Sequence, residues 1–371
     1  MDIWHLKLAF LSPIRHNLAT HEGSENIVVK VSTQNAVSGY GEGIPRSFVT
    51  GERLPDSLTF LQKVLAPAIL NTRFTSAREV PGILADLYRE TAAVKHPGAF
   101  CALETALLDA AGRTWELPVA DFIGSRRRDR VTYSAVVPMA AEKQLAHFFN
   151  LVKMNNMQFL KLKVGTKADL QVLKLAREKL GWEVNIRVDA NGAWTASEAI
   201  PRLHEMMPYQ ISAVEQPVAK EDFEGMKRVR AAVDLPIIAD ESLCNEEDAR
   251  RLIEIGACQI FNLRLSKCGG LGAATRIKRL AQEGGLSCQL GCHVGETSIL
   301  SAAGRHFAMC HPDLVFVEGS FSSFLLTKDP VRQPVAFDYA GLAQDLPGPG
   351  LGIEVLDRAL QDLAVSHHQV E

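Results

Sequence analysis

The chain has 371 residues, 47% hydrophobic and 22% charged, which is an ordinary globular profile with room for a large core and a second domain. A net charge of −3 gives no electrostatic footprint for nucleic acid or an anionic membrane, and no stretch approaches the ~20 apolar residues of a spanning helix. The opening "MDIWHLKLAF" lacks a signal-peptide core, and the seven cysteines are scattered with no C-x-x-C, so reduced thiols in a cytoplasmic protein are expected.

Residues 2–10 and 26–42 alternate apolar and polar positions, and "NIVVKVSTQNAVSGYGEG" reads as two strands joined by a polar turn. Helical patterns follow over 56–70, 76–92 and 98–114, so residues 1–125 are expected to form an α+β capping domain. The basic run Arg126, Arg127, Arg128 and Arg130 is broken by Asp129 and reads as a solvated turn between domains. From 131 onward short apolar runs alternate with helical stretches. Eight candidate strands cover 131–137, 159–164, 183–190, 211–216, 236–241, 258–265, 286–292 and 314–319. Eight βα units argue for a (β/α)8 barrel over 126–334, with a doubly wound open sheet as the alternative. The tail, about 335–371, is expected to return and complete the capping domain.

The second barrel strand, "FLKLKVG", aims Lys161 and Lys163 to one side, because strand side chains alternate faces. Lys163, Asp189, Glu215, Asp240 and Lys267 are separated by 26, 26, 25 and 27 residues. That interval is one βα repeat, so the five are expected around the C-terminal mouth, where barrel active sites form. Three converging carboxylates would repel one another unless a divalent ion joined them. Hard oxygen ligands favour Mg²⁺, with Mn²⁺ as a substitute, over zinc. A neutral lysine can take a proton from carbon if a neighbouring ammonium lowers its pKa, the role given to Lys161 beside Lys163. The implied chemistry is loss of the proton α to a carboxylate, with Lys267 facing Lys163 across the substrate.

Together these stretches resemble the enolase superfamily, and within it the mandelate racemase/muconate lactonizing enzyme family and its muconate cycloisomerase subgroup. The resemblance lies in Lys161-Leu162-Lys163, "DANGAW", "VEQP", "ADES" and "LSKCGGL", with "ALETALLDAAGRTWELPVADFIG" and "GPGLGIEV" extending it over nearly the whole chain. It implies Asp189, Glu215 and Asp240 as Mg²⁺ ligands, Lys163 and Lys267 as an acid/base pair, and Asn191 and Glu241 as residues that orient the ligands. Members include cycloisomerases, dipeptide epimerases, N-acylamino acid racemases and o-succinylbenzoate synthases. A racemase or epimerase of an amino-acid derivative or dipeptide is the first reading. A cycloisomerase or a syn-dehydratase is the alternative.

Specificity is expected from capping loops at 12–25 and 45–52, with Arg15, His16, Arg46 and Phe48 toward the substrate's distal end, and with His293 and Glu318 in the pocket. The eighth strand carries no D-x-D to grip a dipeptide ammonium, and Glu318 stands one position off the acid that cycloisomerases carry. A small carboxylate substrate and a homo-oligomer are expected, with no nucleic-acid or membrane partner. A Schiff-base aldolase would leave the three carboxylates without a role. "GGLGAAT" lacks the third glycine of a dinucleotide loop.

Overall fold

A computed structural model describes residues 1–16, 19–70 and 72–371, with the side chains of His16 and Ala19 outside the description. Its first sheet is antiparallel and contains β1 (Asp2–His16), β2 (Ala19–Ser32) and β3 (Ser38–Gly43). The C-terminal strand Ala364–Gln369 pairs with the free side of β1, so the N-terminal segment and the tail build one capping sheet. Of the expected loop over 12–25, residues 12–16 and 19–25 are instead the far ends of the paired strands β1 and β2, and residues 17 and 18 lie outside the described residues. A register shift between Ala9 and Ile14 breaks the alternation there, which hides the strands from a period-2 reading. The expected loop over 45–52 contains a short helix, Ser47–Thr50.

Helix Pro97–Trp115 packs across this sheet, with proline at its first turn and Glu116 ending it at φ 56°. Glycines at alternate positions of β3 let it come close. A Cβ on Gly41 would lie 2.1 Å from the Ala102 carbonyl oxygen, and one on Gly39 would lie 2.1 Å from the Ala110 nitrogen. The intervening Glu42 points the other way and is buried. It accepts from Asn26 Nδ2 (2.6 Å), Thr297 Oγ1 (2.6 Å) and the Leu300 N–H (2.9 Å), at the start of helix Ser298–Cys310. The capping sheet therefore places a carboxyl group at the positive end of a barrel helix.

The barrel begins after a short strand, β4 (Arg130–Thr132), which pairs with Leu342–Gln344. The expected first strand is thus split, because the Tyr133 N–H goes to Gly341 and the Ser134 N–H to Val317. Seven parallel strands follow, in neighbour order: β5 (Ala135–Val137), β6 (Phe159–Lys163), β7 (Asn185–Asp189), β8 (Ile211–Glu215), β9 (Ile237–Ala239), β10 (Ile260–Leu263) and β11 (Ser287–Leu290). The expected eighth strand is reduced to one parallel bridge, Val317 to Leu290. It still closes the ring, since the Glu318 N–H reaches Leu290 and the Ser134 N–H reaches Val317, both at 2.8 Å.

Helices cover the outside of the ring, and their starts follow from sequence. Asn245 caps helix Glu246–Ile255 by accepting from the Glu247 and Asp248 N–H groups, and Thr195 caps Ala196–Met206. Among the described residues, no helix is long and apolar enough to cross a membrane.

Candidate active site

Register places the charges. Lys163 is paired with Asp189, and Asp189 with Glu215, so three successive strands end on one level. Asp240 directly follows β9. Above this level lies a cavity of about 730 Å³, walled by the barrel mouth and roofed by the hairpin end and residues 46–49. That is the size of a small-molecule site.

Lys161 and Lys163 both line the cavity, as strand alternation requires. Lys163 Nζ donates to Asp189 Oδ2 (2.6 Å) and Asn191 Oδ1 (2.7 Å). Asn191 in turn donates to Glu241 Oε1 at 3.0 Å, so it fixes both the lysine and a second carboxyl group. Lys161 Nζ lies 2.8 Å from Glu318, 3.2 Å from Glu215 and 3.4 Å from Asp189. Burial works against its charge, yet Glu215, Glu318 and Asp189 outweigh it and hold the ammonium above the usual lysine range. Lys161 is thus a permanent positive charge beside Lys163.

Glu318 lines the cavity, but its carboxylate is already engaged. Arg187 donates to it at 2.6 Å, and burial notwithstanding, Lys161 and Arg187 bring its pKa down to about 2. It serves as the counter-ion of those cations. Burial raises the pKa of Glu241, and Asp189 adds to the effect. His293 also lines the cavity; burial holds its imidazole well below the usual range, and neither ring nitrogen has a hydrogen-bond partner among the described residues.

Lys267 departs from expectation. It is on the short helix Leu265–Cys268 beyond β10, is 0% exposed and does not line the cavity. Its Nζ donates to the Asp240 carbonyl (2.6 Å), Asp240 Oδ1 (2.9 Å) and the Asn262 carbonyl (2.9 Å), which uses all three ammonium protons. The group that lines the cavity is Arg264. Counting repeat lengths could not separate these two basic residues, three apart in "RLSK". Alternation could have done so. Asn262 points into the barrel, donating to Glu215 at 2.9 Å, and Arg264 lies two residues on along extended backbone.

Arg264 Nη2 bonds Asp240 Oδ2 and lies 3.8 Å from Glu215 Oε1. The three carboxylates therefore have cation neighbours, so repulsion among them does not by itself call for a metal ion. Among the described residues, no three His, Cys, Asp or Glu side chains form an open metal cage. The donors still suit a hard dication. Asp189, Glu215 and Asp240 are 0% exposed, offer only oxygen, and Lys161 and Arg264 show them converging by pairs on a positive centre.

At the roof, Arg46 donates to Ser24 (2.8 Å) and the Val294 carbonyl (2.9 Å), and burial lowers its pKa to about 10. It braces the roof. Arg15 and Phe48 line the mouth with Met139, Phe148 and Phe324, the last 62% exposed. The side chain of His16 lies outside the described residues.

Comparison with known proteins bears on the family and the fold. The chain is 29% identical to an N-succinyl-L-Arg/Lys racemase from Bacillus cereus, covering 98% of this chain and 97% of the relative. The crystal structure of that racemase superposes with a TM-score of 0.91, over 100% of this chain and 98% of the other. A hydrophobic dipeptide epimerase from Enterococcus faecalis is 30% identical over 91% of this chain and 93% of its own length. A crystal structure of a dipeptide epimerase from Enterococcus faecalis with Mg and the dipeptide L-Leu-L-Tyr superposes with a TM-score of 0.85, covering 95% and 98% of the two chains. A 2-chloromuconate cycloisomerase from Rhodococcus opacus is 25% identical, with a TM-score of 0.90 and 99% coverage of both chains. The family model for the mandelate racemase/muconate lactonizing enzyme N-terminal domain matches residues 4–124, and that described as enolase C-terminal domain-like matches 139–359. The chain belongs to the mandelate racemase/muconate lactonizing enzyme family of the enolase superfamily.

Proposed function

We propose that this protein is an isomerase that removes the proton α to the carboxylate of an amino-acid derivative or dipeptide, as a racemase or epimerase. The observation that carries the reading is the position of Lys163. Its amine is at the cavity floor, oriented by Asp189 and Asn191, beside a permanent ammonium on Lys161. Lys163 takes the proton, and Lys161 meets the charge that develops on the substrate carboxylate. Asp189, Glu215 and Asp240 would hold Mg²⁺, which when bound acidifies the α-carbon by drawing charge from the carboxylate. Asn191 and Glu241 keep that set oriented. Arg15 and Phe48 select the distal end of the substrate from the rim. Relatives named as racemases and epimerases support this choice.

A cycloisomerase is the second reading. It is favoured by the absence of Lys267 from the cavity, because that reaction needs a base on one face only. Mn²⁺ as a substitute ion, a homo-oligomer, a cytoplasmic location and domain boundaries near residues 125 and 335 belong to the same proposal. The test is a panel of N-succinyl amino acids, dipeptides and muconates with MgCl₂ in D₂O, read by NMR for loss of the α-proton signal. Exchange that is abolished in Lys163→Ala supports the assignment, and exchange that persists in that variant refutes it. Calorimetric titration should show Mg²⁺ binding that Asp240→Asn loses.

A further inference from the structure

The ring has eight positions, seven strands and the bridging segment at Val317, and β6 and β10 stand four places apart in it. Whatever side chain leaves the end of β10 inward therefore confronts Lys163 across the cavity. That side chain is Arg264. It is 11% exposed, it lines the cavity, and its buried Nε has no hydrogen-bond partner among the described residues. Lys267 is removed from this position by its burial and by its three acceptors.

A guanidinium differs from an amine in the property that matters here. It carries five N–H donors and, when charged, no lone pair, so it orients or donates to an anion far more readily than it takes a proton from carbon. We propose that Arg264 is the group facing Lys163, and that proton traffic at the substrate's α-carbon is one-sided, with exchange on the Lys163 face outrunning inversion. This rests on the reading of Lys163 as the base. In the forward step the α-carbon–hydrogen bond breaks, the proton goes to the Lys163 amine, and the electron pair passes into the substrate carboxylate. The resulting ammonium trades its proton with solvent and returns a deuteron to the same face. Inversion requires delivery on the far face. The opposite enantiomer presents its proton to a far poorer acceptor than an amine, so inversion lags behind exchange.

The test compares α-proton loss with change of configuration for each enantiomer of N-succinyl amino acids, with MgCl₂ in D₂O. One enantiomer should exchange at least about tenfold faster than it inverts, and the other no faster than it inverts. R264K places an amine on the far face and should raise exchange of the slow enantiomer about tenfold or more. K267M should leave the ratio of exchange to inversion unchanged. Equal exchange and inversion for both enantiomers of the wild type overturns the proposal, as does a ratio that follows K267M and ignores R264K.

Reductive methylation of the folded protein with formaldehyde and cyanoborohydride, followed by peptide mapping, gives a readout that needs no turnover. Label should appear on Lys163, be absent from Lys267, and be gained in the peptide containing the R264K substitution. Labelling of Lys267 at the rate of Lys163 overturns the proposal. If no panel compound exchanges at all, the assignment of Lys163 as base falls, while the labelling pattern still decides which residue faces it.

Discussion

Two sets of buried carboxyl groups divide this molecule. On the barrel floor Glu215 and Glu318 have cations within reach, and both are held below the ordinary carboxyl range although burial acts against them. At the seam between cap and barrel, Glu42 and Glu104 accept N–H and O–H donors and, among the described residues, form no ion pair within 4 Å, though Arg276 acts on Glu104 from farther off. Burial raises both to about 7. Glu296, in the cavity wall, rises to about 8, chiefly through burial with Glu42 and Glu318 adding to it. Hydrogen-bond donors satisfy an oxygen's lone pairs, but a nearby positive charge is needed to keep a carboxylate ionised in a low-dielectric interior. The floor is therefore a charged device, and the seam is a set of near-neutral joints.

The largest test of the contrast is Lys163→Ala. It should cut α-proton exchange about 10²–10⁴-fold while leaving the melting temperature nearly unchanged, because Lys163 works at the cavity surface. Next, Arg187→Met leaves Glu318 with Lys161 as its remaining ion-pair partner. Arg187 is 0% exposed, so a loss of about 3 kcal/mol of unfolding free energy is expected in denaturant titrations. A loss under 1 kcal/mol would mean that the floor tolerates an imbalance of charge.

The pH dependence separates the two sets in sign. Glu42, Glu104 and Glu296 have raised pKa values, so their folded forms hold protons more tightly than the unfolded chain does. Their contribution is full below about 4.5 and is lost as pH climbs through 7 to 8. Glu318 is depressed to about 2, so its contribution is present above 4.5 and is lost only as pH falls toward 2. The carboxyl groups' own contribution should thus decline between pH 5 and pH 8, against an opposite slope below about pH 6.5 from His293, His306 and His311, whose burial lowers their pKa values. Glu42→Gln should make that decline shallower by up to about 2 kcal/mol. An unchanged slope would show that the seam is ionised throughout. The smallest effect belongs to the rim, where Phe48→Ala should raise KM a few-fold and leave exchange at saturation within about twofold.

The sequence disclosed most where a period was at stake. Alternation alone turned Lys161 and Lys163 to one side, and the repeat interval brought Asp189 and Glu215 into register at neighbouring strand ends, with Asp240 directly after β9. It failed where two residues of one charge fell within the tolerance of the interval, and Lys267 was preferred to Arg264. The hairpin end was missed because a register shift and Pro13 interrupt its alternation. The partners of Glu318 were not legible at all. Arg187 comes from β7, 131 residues away in sequence, and only closure of the ring joins them.

The glycine stripe on β3 reaches further than its own sheet. Helix Pro97–Trp115 is seated directly on that backbone, with no side chain between the two to absorb a shift. From the same helix Glu104 grips the Leu271 and Gly272 N–H groups, at 2.5 and 3.1 Å, just past the turn that carries Lys267. A single methyl on Gly41 would lever the helix outward and tug at the sixth βα unit, so a change in the cap's most featureless residue would be felt beneath the substrate.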